Sequence, residues 1–371
     1  MTRHYLDHAS TSPLRPEARR ALVDALGAEG GDPGRLHAEG LEARVRLETA
    51  REQVAGLLGA RPREVVLTSG ATESITAACW GAAGRGDHQV LTAVEHSAVT
   101  AAAGRHGEVT VVGVDGLGRV DPDAVRAALR PDTSVVHVQW GNHEVGTTQP
   151  VAAVVEAVRD HPALVHVDAA QAVGHVPVAF RELGADLLSV SGHKWGAPAG
   201  TGVLLVRRGL RLDPLLVGGD QERARRAGLE PVAALAGVGA AAAALTGPAL
   251  AAEEAEARRL TDRVLDGVVD LDGVRVHGDP VERLPHLVCL GVDDVEPQAV
   301  LLGLDRAGVA CHSGSACSSE SLEPSPTLAA MGVDALRSLR VSVGWSTTDA
   351  DVDALLGALP EVLAGLRALR R

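Results

Sequence analysis

The segment Asp186-Leu-Leu-Ser-Val-Ser-Gly-His-Lys194 gives the clearest indication of the fold of this chain. Its apolar run stops abruptly at polar residues, a pattern typical of a buried parallel strand that ends at the carboxyl edge of a sheet. An earlier run, Leu164-Val-His-Val-Asp168, ends in the same way. Open α/β folds bind their ligands at that edge. We therefore expect Asp168 and Lys194 to lie close together at a ligand site.

Lys194 and Asp168 together suggest a site for pyridoxal phosphate. A lysine amine can form an imine with an aldehyde, and an aspartate on a neighbouring strand can keep a pyridine nitrogen protonated, which makes the ring an electron sink. The alternative for Lys194 alone is an ordinary solvated lysine after a strand.

Runs of the same kind recur along the chain and predict an α/β fold. Helix-like stretches separate most of them, which indicates one large domain, residues 15–250, with a mostly parallel seven-stranded sheet covered on both faces. Shorter strands then indicate a smaller α+β domain made of residues 1–14 and 251–371. The seven runs are Glu64–Thr68, Gln89–Thr92, Val109–Val112, Ser134–Val138, Leu164–Val167, Leu187–Val190 and Gly202–Val206.

Composition excludes several classes of protein. A net charge of -13 argues against nucleic acids and anionic membranes as partners, because both require a basic surface. Four cysteines in 371 residues make no disulfide framework and offer no Cys-x-x-Cys zinc spacing, so we expect a cytoplasmic protein without a metal site. Residues 232–252 lack charge over a length that could span a bilayer, but their alanine, glycine and Pro248 favour a buried helix pair.

The segment Thr68-Ser-Gly-Ala-Thr-Glu-Ser74 follows a predicted strand and opens a predicted helix. Its backbone N–H groups, at Gly70 and Ala71, and its hydroxyls could receive a phosphate at the positive end of the helix. Thr72 is the first choice for the side-chain donor. A plain capping turn is the alternative, and it is favoured when the segment is taken alone.

Three further polar residues follow predicted strands. His96 and His143 could stack on an aromatic cofactor or move protons, although each taken alone could be a capped or solvated histidine. Gln171, three residues after Asp168, could reach the phenolic oxygen of the same cofactor, and a surface glutamine is the equal alternative.

Two residues in the last third of the chain suit chemistry on a substrate. Cys317 lies in a polar, small-residue stretch, Cys311–Ser325, which predicts a mobile loop in which a thiol can ionise and attack a sulfur atom. Arg340, on a predicted strand facing the cleft between the domains, suits the capture of a carboxylate, although a structural ion pair is equally common.

A set of short motifs between residues 5 and 360 resembles, in content and in order, the motifs of the cysteine desulfurases. The loop that ends Leu322-Glu-Pro-Ser325 resembles the group I branch, which donates sulfur through a flexible loop. The motifs are Tyr5-Leu-Asp-His-Ala-Ser-Thr11, Thr68-Ser-Gly-Ala-Thr-Glu-Ser74, Val94-Glu-His96, Asn142-His-Glu-Val-Gly146, His166-Val-Asp-Ala-Ala-Gln171, Ser191-Gly-His-Lys194 and Ser313-Gly-Ser-Ala-Cys317.

The resemblance implies a fold-type I pyridoxal phosphate enzyme, a homodimer that acts on L-cysteine and passes sulfur to an acceptor protein. Cys317 would take the sulfur as a persulfide and L-alanine would be released. The other roles that the resemblance implies are the imine for Lys194, the ring nitrogen for Asp168, the ring face for His96, the phenolic oxygen for Gln171, the phosphate for Thr72, Ser191 and His193, and the substrate carboxylate for Arg340.

Three positions depart from the family pattern. His143 stands where an asparagine usually touches the phenolic oxygen, and it can still donate a hydrogen bond there. Leu229 replaces a threonine that normally reaches the phosphate of the neighbouring subunit, a loss of about 1.5 to 3 kcal/mol. Asp32 stands where an asparagine usually lies near the substrate carboxylate, so it points away, is protonated, or indicates another substrate.

These departures leave two other hypotheses open. One is a related pyridoxal phosphate lyase or aminotransferase acting on another amino acid, which Asp32 and His143 suggest. The other is a partner protein that keeps the fold without catalysis, which all three departures suggest.

Overall fold

A computed structural model describes residues 2–28, 30–313 and 324–369. Its strands are β1 His4–Tyr5, β2 Val65–Thr68, β3 His88–Thr92, β4 Glu108–Val112, β5 Thr133–Gln139, β6 Leu164–Asp168, β7 Leu187–Ser191, β8 Gly202–Val206, β9 Val274–His277, β10 Leu287–Val292, β11 Val309–Ala310 and β12 Ser338–Ser342. Its helices are α1 Pro16–Gly27, α2 Ala38–Leu57, α3 Ala71–Ala82, α4 Ser97–Ala103, α5 Pro122–Ala127, α6 Val151–Val158, α7 Phe180–Leu183, α8 Gln221–Ala224, α9 Val232–Ala244, α10 Pro248–Val268, α11 Pro297–Arg306, α12 Pro326–Ala330 and α13 Asp349–Ala368.

The central sheet has seven strands within the described residues, in the order β2-β8-β7-β6-β5-β3-β4. The neighbours from β7 to β4 are parallel, whereas β8 runs antiparallel to both β7 and β2. Residues 192–201, which join β7 to β8, are too few for the crossover that a parallel pair requires. The predicted fold class, α/β with a mostly parallel seven-stranded sheet, is confirmed.

Valine and leucine build the core of this sheet. Every residue of β5, β6 and β7 is buried, as expected for strands covered by helices on both faces. Because these strands are buried along their whole length, polar side chains reach the cavity only where the strands end. Asp168 and Ser191 are the last residues of β6 and β7.

Two smaller sheets are built from the chain ends. β12, β10 and β9 form an antiparallel sheet in that order, and β1 pairs in parallel with β11. A separate apolar cluster packs β10 and β12 against α10, α11 and α13. The limits of the two domains, residues 15–250 and residues 1–14 with 251–371, stay a prediction.

The uncharged segment after residue 231 forms α9 and the start of α10. Among the described residues no single helix is both long and apolar enough to cross a membrane, and these two reach that threshold only together, with a bend of 79° between them. Leu235, Val238 and Ala241 of α9 are buried.

Candidate active site

A cavity of about 600 Å³ lies where β5, β6 and β7 end. The first residues of the chain, the start of α3 and β12 complete its wall. The predicted site residues that line it are Gly70, Ala71, Thr72, His96, His143, Asp168, Gln171, Ser191, His193, Lys194 and Arg340. Residues far apart in the sequence therefore share one cavity.

Lys194 closes a short turn after β7. Its Nζ donates hydrogen bonds to the carbonyl oxygens of Ala9, at 2.6 Å, and Ser10, at 3.0 Å. Its own carbonyl oxygen lies 3.1 Å from Nε2 of His175. The amine is thus held at the cavity wall by the N-terminal segment, a set of partners that the sequence did not indicate.

Asp168 is buried, and its carboxylate accepts a hydrogen bond of 3.0 Å from the backbone N–H of Ala170. Burial raises the pKa of this carboxyl, and nearby His96 and Lys194 counteract the rise only in part. A buried carboxylate is stabilised by a cation beside it. The protonated nitrogen of a pyridine ring would provide that cation, so Asp168 suits pyridoxal phosphate.

His96 and His143 meet edge to face at one side of the cavity, with ring centroids 5.1 Å apart. His96 caps the N-terminus of α4, where its Nδ1 accepts a hydrogen bond of 3.1 Å from the backbone N–H of Ala98. His143 is buried, and burial lowers its pKa well below the ordinary value, so its ring is neutral. In the described residues Nδ1 of His143 has no hydrogen-bond partner. A polar ligand in the cavity would satisfy this atom.

Gln171 is buried between the N-terminal segment and His286. Its Nε2 donates to the carbonyl of Ala9 at 2.8 Å, and its Oε1 lies 3.3 Å from Nε2 of His286. The ring of His286 stacks on His175 with centroids 3.6 Å apart and an interplanar angle of 11°. Gln171 and Lys194 therefore share the carbonyl of Ala9, and of the two stacked histidines His286 contacts Gln171 and His175 contacts Lys194.

The start of α3 forms the end of the cavity that suits a phosphate. Gly70 precedes the helix, and a Cβ at Gly202 of β8 would clash with the backbone of Gly70, so only glycine fits there. On the facing wall, Ser191 Oγ lies 3.1 Å from Nδ1 of His193. Burial, and then Lys194, lower the pKa of His193 to about 4. Free N–H groups of a helix N-terminus favour an anion.

Arg340 is buried at the opposite wall. Its guanidinium donates to the carbonyl of His143 at 2.7 Å and to Ser10 Oγ at 2.7 Å, and it pairs with Asp7 at 3.1 Å. Nε of Arg340 has no partner in the part of the chain that the structure describes. Arg340 thus makes an ion pair and lines the cavity as well, which combines the two interpretations that the sequence left open.

Two of the positions singled out from the sequence, Asp32 and Leu229, are outside the lining of the cavity. Asp32 accepts a hydrogen bond of 2.8 Å from Gly34 N–H and pairs with Arg35 at 3.1 Å, outside the cavity lining. Leu229 is 63% exposed. Cys317 lies outside the described residues.

Comparisons with known proteins agree with the geometry of this cavity. The family model described as aminotransferase class-V matches residues 4–355. The chain is 42% identical to a cysteine desulfurase of Gluconacetobacter diazotrophicus, with 98% of this chain and 94% of the relative covered. It is 38% identical to the cysteine desulfurase IscS of Methanosarcina thermophila, covering 98% and 92%. A solved NifS-like protein superposes with a TM-score of 0.91 at 29% identity, covering 98% of this chain and all of that one.

Proposed function

The chain belongs to the class-V aminotransferase family and, within it, to the cysteine desulfurases, and from this premise we propose how its residues convert L-cysteine to L-alanine. The observation that carries the proposal is that Lys194, Asp168 and Arg340 line one cavity. A covalent anchor, a carboxylate and a guanidinium are the groups that a cofactor aldehyde, its ring nitrogen and an amino acid carboxylate require.

The residues of the cavity fit pyridoxal phosphate. Lys194 would hold its aldehyde carbon and Asp168 its ring nitrogen, while His96 would cover the ring face. Gln171 and His143 would reach its phenolic oxygen, which would satisfy the buried Nδ1 of His143. The groups that would hold its phosphate are the backbone of Gly70 and Ala71 and the side chains of Thr72, Ser191 and His193. When bound, the cofactor supplies an electron sink for the carbon that loses a proton.

Lys194 would be the group that moves a proton at the substrate Cα. When its amine is released by a substrate, the carbonyls of Ala9 and Ser10 can accept hydrogen bonds from it and orient it. Arg340 would bind the substrate carboxylate, and Ser10 and the carbonyl of His143 fix the direction of its guanidinium. Burial of the site excludes water from this salt bridge and strengthens it.

Cys317 would take the sulfur. Its thiolate forms an S–S bond with the substrate sulfur while the bond from that sulfur to Cβ breaks and its electron pair stays with carbon. A proton then reaches Cβ to complete L-alanine, and Cys317 holds a persulfide. A thiol nucleophile or reductant on an acceptor protein takes the outer sulfur in the next step.

Asp32 does not oppose this substrate. Its carboxylate is bonded to Gly34 and Arg35, outside the cavity lining. In this arrangement of the described residues, Asp32 therefore does not repel the carboxylate of the substrate. The free thiols Cys79, Cys289 and Cys311 fit a reducing compartment, which supports a cytoplasmic location.

The test is to incubate the purified protein with pyridoxal phosphate, L-cysteine and a reductant and to measure alanine and sulfide. Lys194→Ala should abolish both products and the visible absorption of the bound cofactor. Cys317→Ala should retain that absorption and lose at least 99% of sulfide release, because the nucleophile is gone. Cys311→Ala, which removes a half-buried thiol, is the matched control and should keep activity within about twofold. Sulfide release by Cys317→Ala at the original rate would exclude the persulfide step.

A further inference from the structure

Glu73 and Arg226 form an ion pair beside the start of α3. Glu73 is the third residue of the helix, and its Oε1 lies 2.9 Å from Nε of Arg226. The second carboxylate oxygen accepts from Arg226 at 3.4 Å and from the backbone N–H of Ser69 at 2.8 Å. The side chains are only 12% and 21% exposed, so solvent screens this pair weakly.

Glu73 carries a negative charge where the proposed function places a phosphate. It lines the same cavity as Thr72, and it is the acidic residue in the first turn of α3. Burial raises the pKa of Glu73, but hydrogen bonds from Arg226 and Ser69 outweigh burial and keep the pKa below its ordinary value. An ionised carboxylate in the first turn stabilises a helix, but it repels a second anion at the same N-terminus.

The backbone that carries Arg226 is held in a strained form. Glu222, Arg223 and Ala224 have φ values of 48°, 60° and 57°, a left-handed run that costs free energy in residues with a Cβ. Such strain persists only where the surroundings fix it.

The anchor of this turn is the buried pair between Glu222 and Arg51, with distances of 2.6 and 2.7 Å. Glu222 also accepts a hydrogen bond of 2.9 Å from the backbone of Leu67 in β2. β2 leads directly into the segment before α3, so one strand fixes both the turn and the helix start. Arg226 therefore reaches Glu73 from a rigid support.

Resting on the proposed function, we propose that Arg226 is a positioning residue that neutralises Glu73 and turns its carboxylate away, so that the start of α3 can accept the phosphate of pyridoxal phosphate. The pair acts on the phosphate alone and not on the ring. Its removal should therefore weaken the binding of a phosphorylated ligand and leave the same ligand without phosphate unaffected.

The experiment titrates cofactor-free protein with pyridoxal phosphate and, separately, with pyridoxal, and follows absorbance. Arg226→Gln should weaken the affinity for pyridoxal phosphate about tenfold, because the charge of Glu73 at a partly buried helix end is then no longer neutralised and repels the phosphate. The affinity for pyridoxal should stay within about twofold of that of the unaltered protein. Glu73→Gln with Arg226→Gln should restore pyridoxal phosphate affinity to within about threefold of the original, since the repelling charge is gone. Arg223→Gln, an exposed neighbour paired with Glu48, is the matched control.

The outcomes separate the two proposals. If Arg226→Gln lowers the affinity for both ligands equally, or for neither, the proposed role of Arg226 is wrong. If Arg226→Gln does not fold, as thermal unfolding will show, Glu73→Gln alone decides: it should keep or tighten pyridoxal phosphate binding, and a selective loss of that ligand would overturn the role. Failure of the unaltered protein to bind pyridoxal phosphate through Lys194 would instead reject the proposed function.

Discussion

At the scale of single residues, Glu95 is a carboxyl that the fold holds in its neutral form. It is buried beside the cavity, where one oxygen accepts hydrogen bonds from Thr92 Oγ1 at 2.7 Å and from the backbone of Gln139 at 2.9 Å. The other oxygen has no partner within the described residues. Burial, with a smaller contribution from Asp168, raises the pKa of Glu95 to about 8. Glu95 therefore keeps its proton at neutral pH, and Asp168 faces one charge fewer.

This proton makes stability depend on pH. In the unfolded chain Glu95 ionises near its ordinary pKa of 4.5, whereas in the folded protein it ionises near 8. The folded state thus binds the extra proton between these values, and stability falls as pH rises from about 5 to 8. Glu95→Gln, which copies the neutral form, should remove this slope. Urea unfolding should find the variant within about 1 kcal/mol of the original at pH 5 and more stable by about 2 to 4 kcal/mol at pH 9.

The matched control for Glu95→Gln is Glu361→Gln on the exposed side of α13, which should leave the slope unchanged. Parallel curves of unfolding free energy against pH for Glu95→Gln and the original protein would contradict the assignment of the proton to Glu95.

Much of the site could be predicted from single residues, for a physical reason. Asp168 and Lys194 follow buried strands, and strand ends of one parallel sheet meet at one edge. The pair of Arg226 with Glu73 spans 153 positions, and the contact of His286 with Gln171 spans 115. Neither leaves a local pattern, because each depends on how distant segments pack. Asp32 differs from these residues, because its partners Gly34 and Arg35 are close to it in the sequence.

At the scale of elements, the left-handed turn of Glu222, Arg223 and Ala224 allows a direct measurement of backbone strain. Ala224 is exposed with φ of 57°, a conformation in which only glycine avoids a steric cost. Ala224→Gly should raise the free energy of unfolding by about 0.5 to 1 kcal/mol, measured by urea unfolding. Ala252→Gly, at an exposed position within α10, should lower it by about 1 kcal/mol. Destabilisation by both changes would show that the turn is unstrained.

The elements of the central sheet were predictable, and their arrangement was predictable in part. Each predicted run overlaps a strand between β2 and β8. The antiparallel direction of β8 was not predicted, because the sequence shows a strand but not which way it runs. The pairing of β1 with β11 joins segments from opposite ends of the chain, and neither this pairing nor the order β12-β10-β9 was predicted. Periodicity identifies strands, whereas pairing depends on the tertiary core.

At the scale of the whole molecule, exposed apolar side chains on α1 and α2 fit the homodimer that the sequence resemblance implies. Val23 and Leu26 are 57% and 69% exposed and lie one turn apart, and so do Leu41 and Val45 at 48% and 66%. Leu36, between the two helices, is 87% exposed. Exposed apolar side chains that form a contiguous patch are typical of a surface that binds another protein chain.

Sedimentation equilibrium should therefore give twice the mass of 38.2 kDa. Leu26→Glu with Val45→Glu should shift the protein toward the monomer, because two charges cannot be desolvated in an apolar interface. Leu302→Glu changes an exposed leucine of α11 and is the control that should stay dimeric. A monomer at every concentration of the unaltered protein would contradict the dimer.

The contact between Asp7 and Arg340, which are 333 positions apart, has a consequence for how the protein is made in the cell. A ribosome releases Asp7 long before Arg340, so this part of the cavity wall cannot close until the residues between them and Arg340 itself have been made. Polypeptides cut short by interrupted translation would contain Lys194 but lack the guanidinium assigned to the substrate. The guanidinium assigned to the substrate thus joins the cavity later in synthesis than Lys194 does.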